Sequence, residues 1–409
     1  MVRTLPGRLT SNFTAAIFSR LLTCMVLAAV PTIALAQAGH LDPTFGHNGI
    51  FSDSFNGVGT VVATVVALQS DGKIVVGGEN ANFGGVIRLN PNGTLDTSFG
   101  SAGIVNLKFR VIDNIVTGLA IQPNGQILVS GTGIPGGGQL YRLEANGNVD
   151  TTFGGGGSVF LFPGNPGQVV LQPDGRIVVA ESGGGVTQLQ RFESNGQLDS
   201  SFGTGGTAPL ISSGAIALQS DGTFLVSSSP VAKYKSNGSI DTTFGILGQG
   251  PVLPNMTSGI AVQTNARVVT AGSVTTVLGL TGNSTGFGLM RFLSSGLPDT
   301  TFGTRGGVST SFSGSPQTAA SSLAIQSNGD LVAAGSAGTA STQSFALARY
   351  LGSTGQLDST FGTGGRVTTS FGSNKLAAIS SIVLQTDGKI VVVGNVNSST
   401  YTVARYLVQ

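Results

Sequence analysis

Tryptophan is absent, cysteine occurs once, histidine occurs twice, and only 9% of the 409 residues are charged. Each shortage removes a class of chemistry. Without tryptophan, the indole platforms that stack sugars or clamp a quinone cofactor are missing. The single thiol, Cys24, can form no intramolecular disulfide. With His40 and His47 as the only imidazoles, both near the N-terminus, the rest of the chain can build neither a His-rich metal site nor a Ser-His-Asp triad. The formal net charge is +2. Setting aside Arg3, Arg8 and Arg20 of the leader described below leaves 17 basic against 18 acidic groups, which is not the footprint of a nucleic-acid binder.

Apolar side chains and glycine are abundant. Hydrophobics make up 40%, and 64 positions are glycine. A disordered chain needs high charge and low hydrophobicity, so this composition predicts a turn-rich, β-rich globular protein.

Arg3, Arg8 and Arg20 precede an apolar stretch from Leu21 that ends in Ala34-Leu35-Ala36-Gln37-Ala38. Basic residues, a short apolar run and A-x-A text predict a secretory leader over residues 1–38, with cleavage after Ala36 or Ala38. Cys24 opens the apolar run instead of following it, unlike a lipid-modified cysteine. The mature chain would then contain no thiol, no disulfide and no long apolar run. The expectation is an exported protein, periplasmic or extracellular, with no membrane span after cleavage.

Three short texts then recur in fixed order, seven times each. One is apolar-Asp-x-x-Phe-Gly, with aspartates at Asp42, Asp96, Asp150, Asp199, Asp241, Asp299 and Asp358. The second is Ala-Leu-Gln-Ser-Asp-Gly-Lys-Ile-Val-Val at Ala67–Val76, whose glutamine returns at Gln122, Gln172, Gln219, Gln263, Gln326 and Gln385. The third closes an apolar run with a base: Arg88, Arg142, Arg191, Lys233, Arg291, Arg349 and Arg405. Asp-Gly and Asn-Gly pairs between the apolar runs mark tight hairpins. Each unit therefore reads as four short strands: A for the Ala-Leu-Gln run, B for the Ile-Val-Val run, C for the run ending in the base, and D from the apolar-Asp text.

The hairpin after the base appears only six times, because the chain begins with the text that normally follows it and ends with the text that normally precedes it. Four-stranded units of about 53 residues predict an all-β, seven-bladed β-propeller over residues 39–409. Its ring would be closed by an N-terminal outer strand, about residues 41–55, joining the last blade. Closure predicts that the strand around Ile50 pairs with the strand around Val403. Two local departures stand out: Asn265-Ala266 lacks the hairpin glycine, and Pro230 crowds the fourth unit.

The text Gln-x-Asp-Gly-Lys-Ile-Val-Val, then Ala-Arg-Tyr, then Gly-x-Leu-Asp-x-x-Phe-Gly resembles the delta-60 repeat family of bacterial β-propellers, across essentially the whole mature chain. The resemblance implies a secreted or cell-surface protein and no particular reaction.

The repeated residues read as structure. Each aspartate is expected to accept the backbone N–H two residues on, each base to pair with it, and each repeated phenylalanine (Phe45, Phe99, Phe153, Phe202, Phe244, Phe302, Phe361) to fill the core. No D-x-[DN]-x-[DN]-G calcium text and no Gly-Lys-Ser/Thr phosphate loop occurs, so no metal and no cofactor is expected. Antiparallel order places the invariant A–B and C–D turns on one face and the variable B–C and D–A connections, including 272–287 and 336–344, on the other. Charges outside the repeat pattern fall on that second face: Glu79, Lys108, Arg110, Asp113, Glu181 and Lys375. The function expected is non-enzymatic binding of a protein or glycan by a monomer, through this variable face. The rival is a glycan- or ester-processing enzyme with channel carboxylates, for which Asp53, Asp113 and Glu181 are the candidates.

Overall fold

The computed structural model describes residues 37–55, 59–161, 164–183, 185–210, 214–252, 258–274 and 285–409. The leader text up to Ala36 and most of the 272–287 loop lie outside the described residues. Among the described residues every regular element is a β-strand, and no helix is long and apolar enough to cross a membrane.

The expected A-B-C-D order is seen throughout. Val61–Leu68, Ile74–Asn80, Phe83–Leu89 and Ile104–Leu107 pair antiparallel in sequence. Ile112–Ile121, Ile127–Ile134, Gly138–Leu143 and Ser158–Leu161 do the same, as do Asn165–Leu171, Ile177–Gly183, Val186–Phe192 and Thr207–Pro209. Two later sheets follow suit: Gly259–Val262, Val268–Val274, Gly286–Phe292 and Gly307–Thr310, then Gln317–Ile325, Leu331–Gly338, Gln343–Tyr350 and Arg366–Thr369. Between these groups lies a three-stranded sheet, Ile216–Leu218, Phe224–Val226 and Ala232–Tyr234. Its fourth position is a single bridge, Ala232 to Gln249. Pro251, two residues past Gln249, has no N–H to extend a ladder there.

The last three strands, Ala377–Leu384, Ile390–Val396 and Ser399–Tyr406, take their fourth from the N-terminus. Ile50–Asp53 pairs antiparallel with Ser399–Tyr406, Phe51 opposite Val403. The strand is four residues, not the fifteen of 41–55. Residues 41–49 form a corner instead, because Asp42 caps Thr44 and Gly46 and Gly49 take positive φ. The same holds in the other repeats that form a D strand: the apolar-Asp text is a corner, and the strand begins after it.

Strands B and C are buried on both faces, and the cores lie between neighbouring sheets. One cluster joins Val75, Val86 and Phe99 to Val116, Ile127 and Leu143. Another joins Ile74, Val76 and Ile87 to Val391, Tyr401 and Val403. All seven repeated phenylalanines are buried. Several A strands carry a β-bulge near their midpoint. The Thr64 hydroxyl there donates to the Val116 carbonyl (2.6 Å), tying one A strand to the next.

The hairpin at Asn265-Ala266 forms without its glycine. Gln263 N donates to Arg267 O (2.8 Å), and Ala266 takes φ +60° where the other A–B turns place glycine.

Candidate functional site

The repeated charges are absorbed by the fold. Every repeat aspartate accepts the backbone N–H two residues on, from Thr44 at 3.0 Å to Thr243 at 3.2 Å. Its second oxygen meets the repeat base: Arg88 Nε to Asp96 at 2.7 Å, Arg142 to Asp150 at 2.6 Å, Arg291 to Asp299 at 2.9 Å, Arg349 to Asp358 at 2.8 Å. Arg405 meets Asp42 at 2.9 Å across 363 positions. In six repeats the guanidinium lies 4.5–4.7 Å over the repeat phenylalanine. From there Nη1 reaches a backbone carbonyl in the next C–D turn: Arg142 to Ser194 (2.5 Å), Arg191 to Ser236 (2.5 Å), Arg405 to Pro91 (2.5 Å). Lys233, with one nitrogen, makes the ion pair to Asp241 (3.4 Å). Burial pushes these aspartates upward, but the hydroxyl and N–H donors and the bases outweigh it, and all seven lie below the usual carboxylate range.

What departs from the repeat gathers on the variable face. The D–A connection 108–114 is anchored by Phe109, which is buried in space left by Gly84 and Gly131: a Cβ on either glycine would stand 2.2 Å from its ring. Asn114, fully buried, accepts from Phe109 N (2.7 Å) and Arg110 N (2.5 Å) and donates to Asn82 O (2.8 Å). Asp113 stands in the bulge at φ +53° and is exposed. Its charge and the burial of Glu79 together raise the Glu79 pKa, burial contributing more. Lys108 Nζ lies 5.4 Å over Phe83. Arg110 stacks 4.3 Å over Phe160, and its Nε is buried without a hydrogen bond among the described residues.

Four of the six sequence candidates, Glu79, Lys108, Arg110 and Asp113, thus surround one segment. Beside them lies an apolar patch that the sequence reading did not find: Val111 (75% exposed), Ile112 (47%), Ile134 (52%) and Phe160 (52%). Ile112 and Ile134 are direct strand partners. An alternation count on Ser158–Leu161 would have placed Phe160 outward.

Glu181 is elsewhere and buried. It occupies a B-strand position that is glycine at Gly78, Gly335 and Gly394, where a Cβ would stand 2.0 Å or less from the neighbouring A-strand carbonyl. Around Glu181 the A strand opens into a wider bulge between Pro166 and Val169. Gln188 Nε2 donates to Oε2 (3.0 Å), Oε1 has no hydrogen-bond partner among the described residues, and desolvation raises the Glu181 pKa against that bond. Lys375 is exposed before the last A strand. Asp53 sits on the outermost strand, where it caps Phe55 N (2.8 Å). The three carboxylates proposed for catalysis, Asp53, Asp113 and Glu181, therefore lie on D, A and B strands of three separate sheets. Among the described residues no three His, Cys, Asp or Glu side chains gather to hold a metal ion.

A groove of about 1160 Å³ runs between Ser311–Ser313, Arg366–Ser370 and the Gln37–Leu41 corner. Its one guanidinium, Arg366, is engaged by the carbonyls of Ser311 (3.0 Å) and Gly364 (3.1 Å).

Five segments, 69–99, 122–153, 172–202, 263–302 and 326–361, match the model of a family described as a domain of unknown function (DUF5122) beta-propeller. Each runs from the repeat glutamine to the repeat phenylalanine. The chain is a β-propeller repeat protein. The two repeats left unmatched are the one carrying Lys233 and the one whose Arg405 finds its aspartate at the other end of the chain. Among solved structures, the propeller resembles virginiamycin B lyase from Staphylococcus aureus, with 13% identity and a TM-score of 0.54 over 88% of this chain and 99% of that one. It is also similar to a catalytically inactive variant of that lyase with quinupristin (14%, 0.52, 88% and 99%). At such identities the likeness is one of fold. No curated protein matches the chain in sequence.

Proposed function

We propose that the chain is an exported, seven-bladed propeller of the delta-60 type, closed into a ring by its N-terminal strand, whose variable face binds a protein partner without catalysing a reaction. The closed ring is supported by the Ile50–Asp53 strand on Ser399–Tyr406 and by the order of packing. Each A strand packs on the A strand of the next sheet, and Ala377–Leu384 packs on Val61–Leu68. Closure removes the free sheet edge that an open array would expose.

The binding reading rests on the exposed patch of Val111, Ile112, Ile134 and Phe160. A chain that buries its repeat side chains so completely leaves these four in water, set among Lys108, Arg110 and Asp113. An apolar centre with a charged rim is the anatomy of a protein interface, and Phe160 under Arg110 is a rigid anchor of the kind that dominates such contacts. Aliphatic side chains supply half or more of the patch, which favours a protein over a glycan. The test is affinity capture from envelope and culture-medium fractions, with mature protein compared with Phe160→Ser/Ile134→Ser. A defined partner held by the first and lost by the second, while a Leu297→Ser control on a different surface retains it, is the expected result. Equal capture by all three overturns the assignment.

A further inference from the structure

The hairpin after each base has a fixed set of bonds, and the seventh copy is assembled from two distant pieces of chain. In the first repeat, Gly93 N donates to Asn90 O (2.9 Å), Asn90 N to Thr94 O (2.8 Å), and the Asn92 carbonyl accepts Gly46 N of the neighbouring corner (2.7 Å). In the last repeat, Gly39 N donates to Leu407 O (2.8 Å), Leu407 N to His40 O (2.9 Å), and the Ala38 carbonyl accepts Gly362 N (2.9 Å). Arg349 Nη1 donates to Val408 O (3.1 Å) as Arg405 does to Pro91 O (2.5 Å). Gly39 has φ +86°, within the 77–91° of the six turn glycines, and a Cβ on it would stand 2.7 Å from Gly362 N, as one on Gly93 would from Gly46 N. Ala38-Gly39 is therefore the seventh turn pair, and Ala38 is 7% exposed, packed in the cluster that holds Phe361 and Tyr406.

We infer that the leader is removed between Ala36 and Gln37, leaving Gln37 as the first residue. This rests on the export reading above. Of the two A-x-A options, cleavage after Ala38 would delete the carbonyl that Gly362 N requires and a buried methyl. It would also leave an ammonium on Gly39, inside the turn. Cleavage after Ala36 keeps the whole turn and adds one residue, Gln37, ahead of it. In the step itself a leader peptidase directs water to the Ala36 carbonyl carbon. The Ala36–Gln37 amide bond breaks, the hydroxyl stays on Ala36, and the proton goes to the Gln37 nitrogen.

The full 409-residue chain, produced with its own leader in a secreting host, is recovered from the exported fraction, and its N-terminal peptide is identified by mass spectrometry. A start at Gln37, as the free amine or cyclised with loss of ammonia, is expected. An exported chain starting at Gly39, or at any other residue, overturns the inference and leaves the export reading standing. A chain retained inside the cell with its leader attached overturns both. Independently, purified chains beginning at Gln37 and at Gly39 are compared in urea. The shorter chain should lose on the order of tenfold in its folding equilibrium constant, the cost of losing the Gly362 N–H bond to Ala38 O together with the buried Ala38 methyl. Equal stability of the two overturns the inference.

Discussion

Lys233 is the one repeat base that is not arginine, and Lys233→Arg should stabilise the protein. In the other repeats the guanidinium does three things: Nε pairs with the aspartate, the planar face covers the phenylalanine, and Nη1 donates to a carbonyl of the next C–D turn. Lysine at 233 performs the first of these, at 3.4 Å against 2.6–2.9 Å for five of the arginines. The aromatic acceptor is present, since Phe244 is buried in its usual place, and Ser294 occupies the turn position that Pro91 and Ser194 hold elsewhere. A charge-assisted hydrogen bond is worth about 1.5–3 kcal/mol and a cation–π contact about 0.5–1 kcal/mol at a partly exposed site. The side chain is 20% exposed, and fixing a long guanidinium costs up to about 2 kcal/mol of rotamer entropy, so the net gain should be about 1–2 kcal/mol.

The assay is urea unfolding followed by circular dichroism and by tyrosine fluorescence, which no tryptophan obscures. The expected result is a higher midpoint with unchanged slope. The reciprocal variant, Arg142→Lys, should lose a similar amount, because it gives up the 2.5 Å bond to Ser194 O and the stacking on Phe153. A Lys233→Arg midpoint equal to or below the parent, with Arg142→Lys destabilised as expected, would refute the idea that the fourth repeat offers the same receptor for the guanidinium as the others.

Ala266→Gly should raise stability by about 1 kcal/mol or slightly less in the same assay, since a Cβ at φ +60° is strained and glycine's entropy cost offsets only part of that relief. The seven depressed aspartates make stability full above the ordinary carboxylate pKa, about 4, and progressively lost as pH falls through their lower folded values. The contribution of these aspartates should be constant between about pH 5 and 7 and lost below about pH 4, and a midpoint insensitive to acid would contradict the ion-pair network. Glu181 runs the other way: its raised pKa gives stability that is present in acid and lost as pH rises through the folded value. Glu181→Gln should therefore match the parent at low pH and exceed it increasingly towards neutrality, whereas a constant difference at every pH would mean that the ionised carboxylate is not what costs stability there.

Periodic text made most of the scaffold legible. The aspartate capping bond, the pairing of base with aspartate and the buried phenylalanine each follow from local chemistry repeated seven times, so an accident in one copy cannot disguise the rule. The pairing of the strand around Ile50 with the strand around Val403 followed from the order of the motifs alone. What escaped the sequence was what is not repeated or not local. Ala38-Gly39 completes a turn with Leu407, so no window along the chain contains it. The 41–55 strand came out too long because a carboxylate cap and two positive-φ glycines bend the chain before pairing begins. Gly84 and Gly131 look like ordinary strand glycines until Phe109 is seen lying between them. The patch around Phe160 draws on one connection and three strands, at Val111–Ile112, Ile134 and Phe160, and only the fold brings these together.

The distribution of charge says where function can reside. A sevenfold lattice of aspartate, base and phenylalanine takes up seven of the 18 acidic and seven of the 20 basic side chains, and that lattice is the same in each repeat except for one lysine. A repeated site would present seven equivalent ligand positions, but six of the repeat aspartates are buried, Asp358 is partly buried, and all seven already accept from a backbone N–H and a hydroxyl. Selectivity must then come from the places where one repeat differs from its neighbours. Two such places fall in successive sheets on the same side: the Phe109–Asn114 anchor with its exposed apolar neighbours, and the bulge that admits Glu181 where Gly78, Gly335 and Gly394 stand in other repeats. The first is presented to solvent and the second is not. The partner binding proposed above is therefore placed at the first, while the buried Glu181, with its raised pKa, is expected to cost stability at neutral pH.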